Sequence, residues 1–228
     1  MSFADRIEAG RKLAAALERY RDSNPVILAL PRGGVPVAAE VARALHAPLD
    51  LLLVRKIGVP MQPELAMGAV VDGSSPVTVR NDDIISLTGT SNEVFEQVRD
   101  RELAEIARRH KCYLGERPPI AIEGRTAIIV DDGIATGATT RAALRALRLR
   151  HPGRLVLAVP VAPTETVEAM RREADDVVCL ESHAVFGAIG FFYCDFHQLD
   201  DADVIRALAE FPPEPEKPLV RPSASAAD

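Results

Sequence analysis

The chain has no tryptophan, three tyrosines and seven phenylalanines among 228 residues. Any core must therefore be built from aliphatic side chains. Cysteine is as scarce: Cys112, Cys179 and Cys194 are odd in number and far apart, which excludes a disulfide framework or a zinc knuckle and fits free thiols in a reducing cytoplasm. No apolar run approaches the roughly 20 residues that span a bilayer, and charges stand at the N-terminus where a signal peptide needs its apolar centre, so no membrane role is expected. Positive charge is short too. The 27 Lys and Arg face 33 Asp and Glu, for a net charge of −6, which argues against a general nucleic-acid binder. The apolar fraction of 47% supports a sizeable core, and no internal repeat is visible.

Short apolar runs alternate with helical patterns. Strands are expected at 26–30, 49–54, 67–71, 77–79, 126–130, 155–161 and 177–180. Helices are expected at 3–20 (with Phe3, Ile7, Ala14 and Leu17 on one stripe), 35–46, 82–87, 93–113, 139–150, 165–173 and 201–211. Such alternation implies an α/β fold with a Rossmann-like parallel sheet. One domain is expected over 1–211. Its core is about 25–200, with an N-terminal helix at 3–20 and a helical insertion at about 81–113. The Pro-, Ser- and Ala-rich stretch 212–228 reads as a disordered tail.

Against this background, the run from Ile128 to Thr140, IIVDDGIATGATT, stands out. It is an apolar strand, two carboxylates, a turn without bulky side chains and a helix start. Backbone N–H groups from Ala135 to Thr139 can surround a phosphate, Thr136, Thr139 and Thr140 add hydroxyls, and the helix dipole points the same way. Asp131 and Asp132 suit vicinal hydroxyls or a metal complex. A ribose 5-phosphate satisfies all these groups. The run is not a P-loop, because no Gly-Lys-Ser/Thr closes it, and its glycine spacing is not that of the dinucleotide fingerprint.

An acidic protein that binds a polyanion must gather its cations locally. Arg32, beside Gly33 and Gly34, follows the first apolar run, and Arg55 and Lys56 follow the second. In open parallel sheets ligands bind beyond the C-terminal strand ends, which is where Asp131 and Asp132 also fall. Residues 55–66, with Pro60 and Pro63, read as a long loop able to act as a lid. Five aromatics, Phe186, Phe191, Phe192, Tyr193 and Phe196, gather near the C-terminal end, where a flat ring is held by stacking.

These segments resemble type I phosphoribosyltransferases. The acidic pair and small Thr/Gly loop are similar to the family's signature for phosphoribosyl pyrophosphate (PRPP), and Leu30-Pro31-Arg32-Gly33-Gly34 to its pyrophosphate loop. The resemblance covers about residues 25–200 and looks closest to uncharacterised bacterial phosphoribosyltransferase-like proteins, with a partial similarity to the 6-oxopurine enzymes. Ala135 departs from those enzymes, which usually carry an acid there. The resemblance implies a type I fold with a small hood, and Mg²⁺-assisted transfer of the 5-phosphoribosyl group from PRPP to a small nitrogen acceptor, such as a nucleobase, with release of pyrophosphate. It implies Asp131, Asp132, Arg55 and Lys56 as catalytic residues. The 5-phosphate would be held by Ala135, Thr136, Gly137, Ala138, Thr139 and Thr140, and pyrophosphate by Arg32, Gly33 and Gly34. Phe186, Phe192 and Tyr193 would receive the acceptor, and Asp195 would assist the metal. A homodimer is compatible with it. A PRPP-binding regulator without catalysis, or a nucleotide hydrolase or phosphorylase on the same fold, are the alternatives.

Overall fold

The computed structural model describes residues 2–73 and 76–212; the tail expected to be disordered lies outside them, save Pro212. Five strands, β1 (Pro25–Ala29), β2 (Leu49–Leu51), β6 (Thr126–Val130), β7 (Arg154–Pro163) and β8 (Asp176–His183), form one parallel sheet in the order β2-β1-β6-β7-β8. A second, antiparallel sheet takes the order β3-β4-β5, from Val54–Val59, Gln62–Val71 and Val77–Arg80.

The central strands are apolar but for Thr126, because both faces are covered. Ile27, Ala29, Ile128 and Val130 face one cluster with α1 (Arg6–Leu17) and α2 (Gly34–Leu45). Val26, Leu28, Ala127 and Ile129 face the other, with Leu144 and Leu147 of α5 (Ala138–Arg148) and Met170 of α6 (Thr164–Met170). The second sheet, with α3 (Asp82–Thr88) and α4 (Asn92–Tyr113), forms a hood between β2 and β6 in the chain, and α7 (Asp201–Ala209) packs on α2.

Three expectations need correction. Residues 55–66 are not a loop: β3 and β4 form a hairpin turning at Pro60 and Met61. Register shifts on either side of Gly58 leave Pro63 where the ladder breaks, which is where a residue without an N–H is tolerated. Gly58 is needed opposite it, since a Cβ there would lie 2.5 Å from the Pro63 carbonyl oxygen. The expected strand 49–54 is split, because β2 ends at Leu51 and the chain leaves for the hood sheet at Val54. The first helix starts only at Arg6, after Asp5 caps it through the Glu8 N–H. Its buried stripe is therefore Arg6, Ala9, Gly10, Leu13, Ala14 and Leu17, and Ile7 is only half-buried. Phe3 is buried in the extended segment before the helix, bridged to Tyr193.

Candidate active site

The strand order reverses between β1 and β6, and that is the position at which open α/β sheets hold ligands. The two loops leaving these strands interlock. A Cβ on Gly33 would stand 2.1 Å from Asp132 Oδ2, and one on Gly34 would stand 2.7 Å from the Val130 carbonyl oxygen. The glycines are thus required by close approach of the acidic turn. The Pro31–Arg32 peptide is cis.

A cleft of about 150 Å³ opens at this point, lined by Pro31, Val54, Arg55, Arg109, Asp131 and Thr139 among others. Asp131 is half-buried, and Asp132 is 7% exposed. Burial and the neighbouring Asp132 charge push the Asp131 carboxyl well up from the usual carboxylate range. Burial also raises Asp132, against the lowering effect of Arg6. The two carboxylates differ in their partners. Asp132 accepts from Arg6 Nε at 2.8 Å, and its backbone carbonyl accepts from the Tyr193 hydroxyl at 2.6 Å. Asp131 accepts only from the Asp132 backbone N–H, at 2.9 Å, among its described bonds.

The small-residue turn ends at Gly137, the N-cap of α5, with φ +73. No side chain caps the helix, and its first internal bond runs from the Arg141 N–H to the Gly137 carbonyl. The N–H groups of Ala138, Thr139 and Thr140 therefore have no intrahelical acceptor. The turn is braced from behind by Thr166, whose hydroxyl donates to the Ala135 carbonyl at 2.9 Å. Ala135, Thr136, Ala138 and Thr139 are exposed, while the Thr140 side chain is buried. Thr140 thus offers a backbone donor rather than the hydroxyl expected of it.

The cations are dealt out differently from expectation. Arg55 and Lys56 are consecutive on β3, so their side chains take opposite faces. Arg55 lines the cleft and pairs with Glu102 at 2.8 Å. Lys56 lines a separate cavity of about 140 Å³ between the hood and α5, with Thr139 and Arg141. Arg32 is 4.0 Å from Asp201, which also accepts from the Tyr113 hydroxyl at 2.7 Å. Burial, followed by that bond, pushes the Tyr113 phenol up to about 12.

The aromatic segment divides. Phe186 and Phe192 are half-buried and stack on each other at 5.0 Å, with the His183 ring 4.7 Å from Phe192. The adjoining Ile189 seats this turn on Gly133, where a Cβ would lie 2.7 Å from Ile189 Cγ2. Ile189, between the two Phe residues in the chain, thus packs directly on the acidic turn. Tyr193 is buried against that turn: it is 1% exposed, with its hydroxyl spent on the Asp132 carbonyl. Asp195 is exposed and tied to His197 Nδ1 at 3.0 Å, and among the described residues no group of three or more His, Cys, Asp and Glu is placed to hold a metal ion. Tyr193 is thus closed to an acceptor, and Asp195 stands outside the lining of the cleft.

Two site residues escaped the sequence reading. Arg6 lies on the buried stripe of α1, a charge on an apolar face, which is itself a signal of a buried partner. Arg109, on the long charged helix α4, lines the cleft while pairing with Glu105 at 2.7 Å. Among so many helix-surface charges it carried no distinguishing mark.

A strand-end acidic pair, a small-residue turn at a helix start and a glycine loop locked beneath them meet where the strand order reverses. Residues 4–196 match the phosphoribosyl transferase domain, and the chain belongs to that family, with the type I fold. Two Mycobacterium tuberculosis proteins, from strains H37Rv and CDC 1551, each named "Putative phosphoribosyl transferase", are 47% identical over 206 residues, which is 90% of this chain and 46% of theirs. The chain thus spans about half the length of the curated relatives it matches. The crystal structure of TT1426 from Thermus thermophilus is 42% identical, with a TM-score of 0.82 over 93% of this chain and 100% of that one.

Proposed function

We propose that the protein is a PRPP-dependent phosphoribosyltransferase that passes the 5-phosphoribosyl group to a small nitrogen acceptor, a nucleobase or similar ring, and releases pyrophosphate. The observation that carries this reading is the interlock of the Gly33–Gly34 loop with the Asp131–Asp132 turn, at the mouth of a cleft that also holds Arg55, Arg109 and Thr139.

Each part has a task. The N–H groups of Ala138, Thr139 and Thr140 take the 5-phosphate at the positive end of α5. Asp131 faces the ribose hydroxyls. Arg32, Arg55 and Arg109 approach the pyrophosphate end, and their guanidinium forks suit phosphate oxygens. The acceptor nitrogen's lone pair attacks the anomeric carbon, the carbon–oxygen bond to pyrophosphate breaks with its electron pair, and the acceptor releases its proton to solvent. Positive charge grows on the sugar meanwhile, as in glycoside transfer, and a carboxylate beneath it lowers the barrier. Phe186 and Phe192 offer apolar surface to the ring.

Mg²⁺ fits this arrangement without a protein cage, since it takes one or two carboxylates and completes its shell with water and phosphate oxygens. Asp131, facing the cleft, is the carboxylate placed to share it. When bound, the ion neutralises charge on the departing pyrophosphate.

Calorimetric titration of PRPP with Mg²⁺ into the wild type and Asp131→Asn tests the reading. Saturable wild-type binding, weakened at least about tenfold in the variant (about 1.4 kcal/mol), is expected, followed by pyrophosphate release with one member of a base panel. No binding by the folded wild type would sink it.

A further inference from the structure

Arg6 is an arginine that a helix buries against the acidic pair. It is 8% exposed, in the first turn of α1, far in sequence from every motif of the site. Its guanidinium is fixed on three sides. Nε donates to Asp132 Oδ2 at 2.8 Å, Nη1 donates to the His197 carbonyl at 3.0 Å, and the guanidinium carbon lies 3.8 Å from the centre of the Phe196 ring. Phe196 is held in turn by Tyr193, their rings 4.9 Å apart, and the Tyr193 hydroxyl returns to the Asp132 backbone. Asp132 is thereby gripped from its side chain, its own carbonyl and the Gly33 backbone beneath it.

We propose that Arg6 is a positioning residue for ribose recognition: it holds Asp132 back against α1, so that Asp131 is the carboxylate presented to the sugar hydroxyls. This rests on the phosphoribosyl reading of the site. The physical argument is one of alternatives. Two adjacent carboxylates with equal freedom would share the diol in several geometries. An arginine, stacked and bonded on a second side, leaves Asp132 one orientation, because a buried carboxylate stays with the buried counter-charge bonded to it. Asp131, with no such partner among its described bonds, remains turned to the cleft.

The arrangement also joins distant segments. The acceptor-side turn, through Tyr193 and Phe196, and the N-terminal helix, through Arg6, meet on the same carboxylate. Arg6 touches neither the arginines of the cleft nor the 5-phosphate turn in its described bonds. Its loss should therefore be felt at the sugar and not at the pyrophosphate.

The test is calorimetry on the wild type, Arg6→Gln, Arg6→Lys and Phe196→Leu, each titrated with PRPP and Mg²⁺, ribose 5-phosphate, and pyrophosphate with Mg²⁺, with folding checked by circular dichroism. Arg6→Gln is expected to weaken PRPP and ribose 5-phosphate by about tenfold or more and to leave pyrophosphate within about twofold. Arg6→Lys recovers part of the loss, since the charge returns without the fork. Phe196→Leu, which keeps the ion pair and removes the stacking face, shows the same selective loss on a smaller scale and decides the matter should Arg6→Gln not fold. Equal affinities in wild type and a folded variant overturn the proposal, as does an equal loss for all three ligands, which is what a merely structural role produces. A wild type that binds pyrophosphate but neither sugar phosphate overturns the phosphoribosyl reading and this proposal with it, an outcome distinct from wild-type binding that the variants match.

Discussion

Asp131 and Asp132 are neighbours in the chain and opposites in their surroundings. Asp132 has a guanidinium at 2.8 Å; Asp131 has a backbone N–H and the cleft. Burial and the Asp132 charge raise the Asp131 carboxyl, so the folded protein holds its proton more tightly than the unfolded chain does. The sign follows. The stabilisation from that proton is complete at low pH, below the ordinary carboxylate range, and is lost as pH rises through the raised folded value, with a slope of at most about 1.4 kcal/mol per pH unit for one proton. Ligand-free wild type should accordingly lose thermal stability through that window, and Asp131→Asn should flatten the slope. Sugar phosphate binding should move the other way and strengthen with pH, because the hydroxyls need the ionised form. Melting temperature against pH for both proteins, without added metal, checks the first half. A slope unchanged by Asp131→Asn would assign it to another group.

At the scale of elements, the turn into α5 depends on a backbone that only glycine adopts without cost. Gly137 has φ +73, and a Cβ there would also lie 2.9 Å from Thr166 Cγ2. Gly137→Ala should cost about 1–2 kcal/mol from the left-handed conformation alone, plus the push on Thr166, and should weaken ribose 5-phosphate as the three N–H groups lose their common direction. Chemical denaturation and a binding titration measure the two effects, and unchanged affinity would remove the turn from the phosphate site. The central strands were legible in the chain because burial on both faces leaves unbroken apolar runs, as at 26–30 and 127–130. The hairpin was not. Pro60 and Pro63 read as loop residues, and only the broken ladder around Gly58 explains how a strand contains Pro63. The α1 stripe was misjudged for a related reason: the cap at Asp5 sets the helix phase, and a stripe anchored on Phe3 belongs to a helix that has not yet begun.

Across the whole molecule, the site joins segments that no single stretch of sequence connects. The acidic pair, the small-residue turn and the Gly33–Gly34 loop were readable because each is local, and a parallel sheet brings its strand ends together. Arg6 and Arg109 were not, since they arrive from α1 and α4 through packing alone. Arg109 gives the sharpest test of this convergence. It stands on a helix of the hood, yet lines the same cleft as Arg55 and Asp131, in a chain whose net charge is −6 and which therefore needs every local cation to hold a polyanion. Glu105 engages it at 2.7 Å, and Arg108 and Arg109 together hold the Glu105 carboxyl down at about 2, so Glu105 stays ionised at neutral pH and holds the arginine in place. Arg109→Gln should weaken pyrophosphate with Mg²⁺ by about tenfold, about 1.4 kcal/mol, leave ribose 5-phosphate nearly unchanged, and make PRPP binding less sensitive to salt, since a screened charge has been removed. That is the reverse of the pattern expected on losing Arg6. Titrations of the three ligands at low and high ionic strength separate the two, and a loss at the sugar rather than the pyrophosphate would place Arg109 on the wrong end of the substrate.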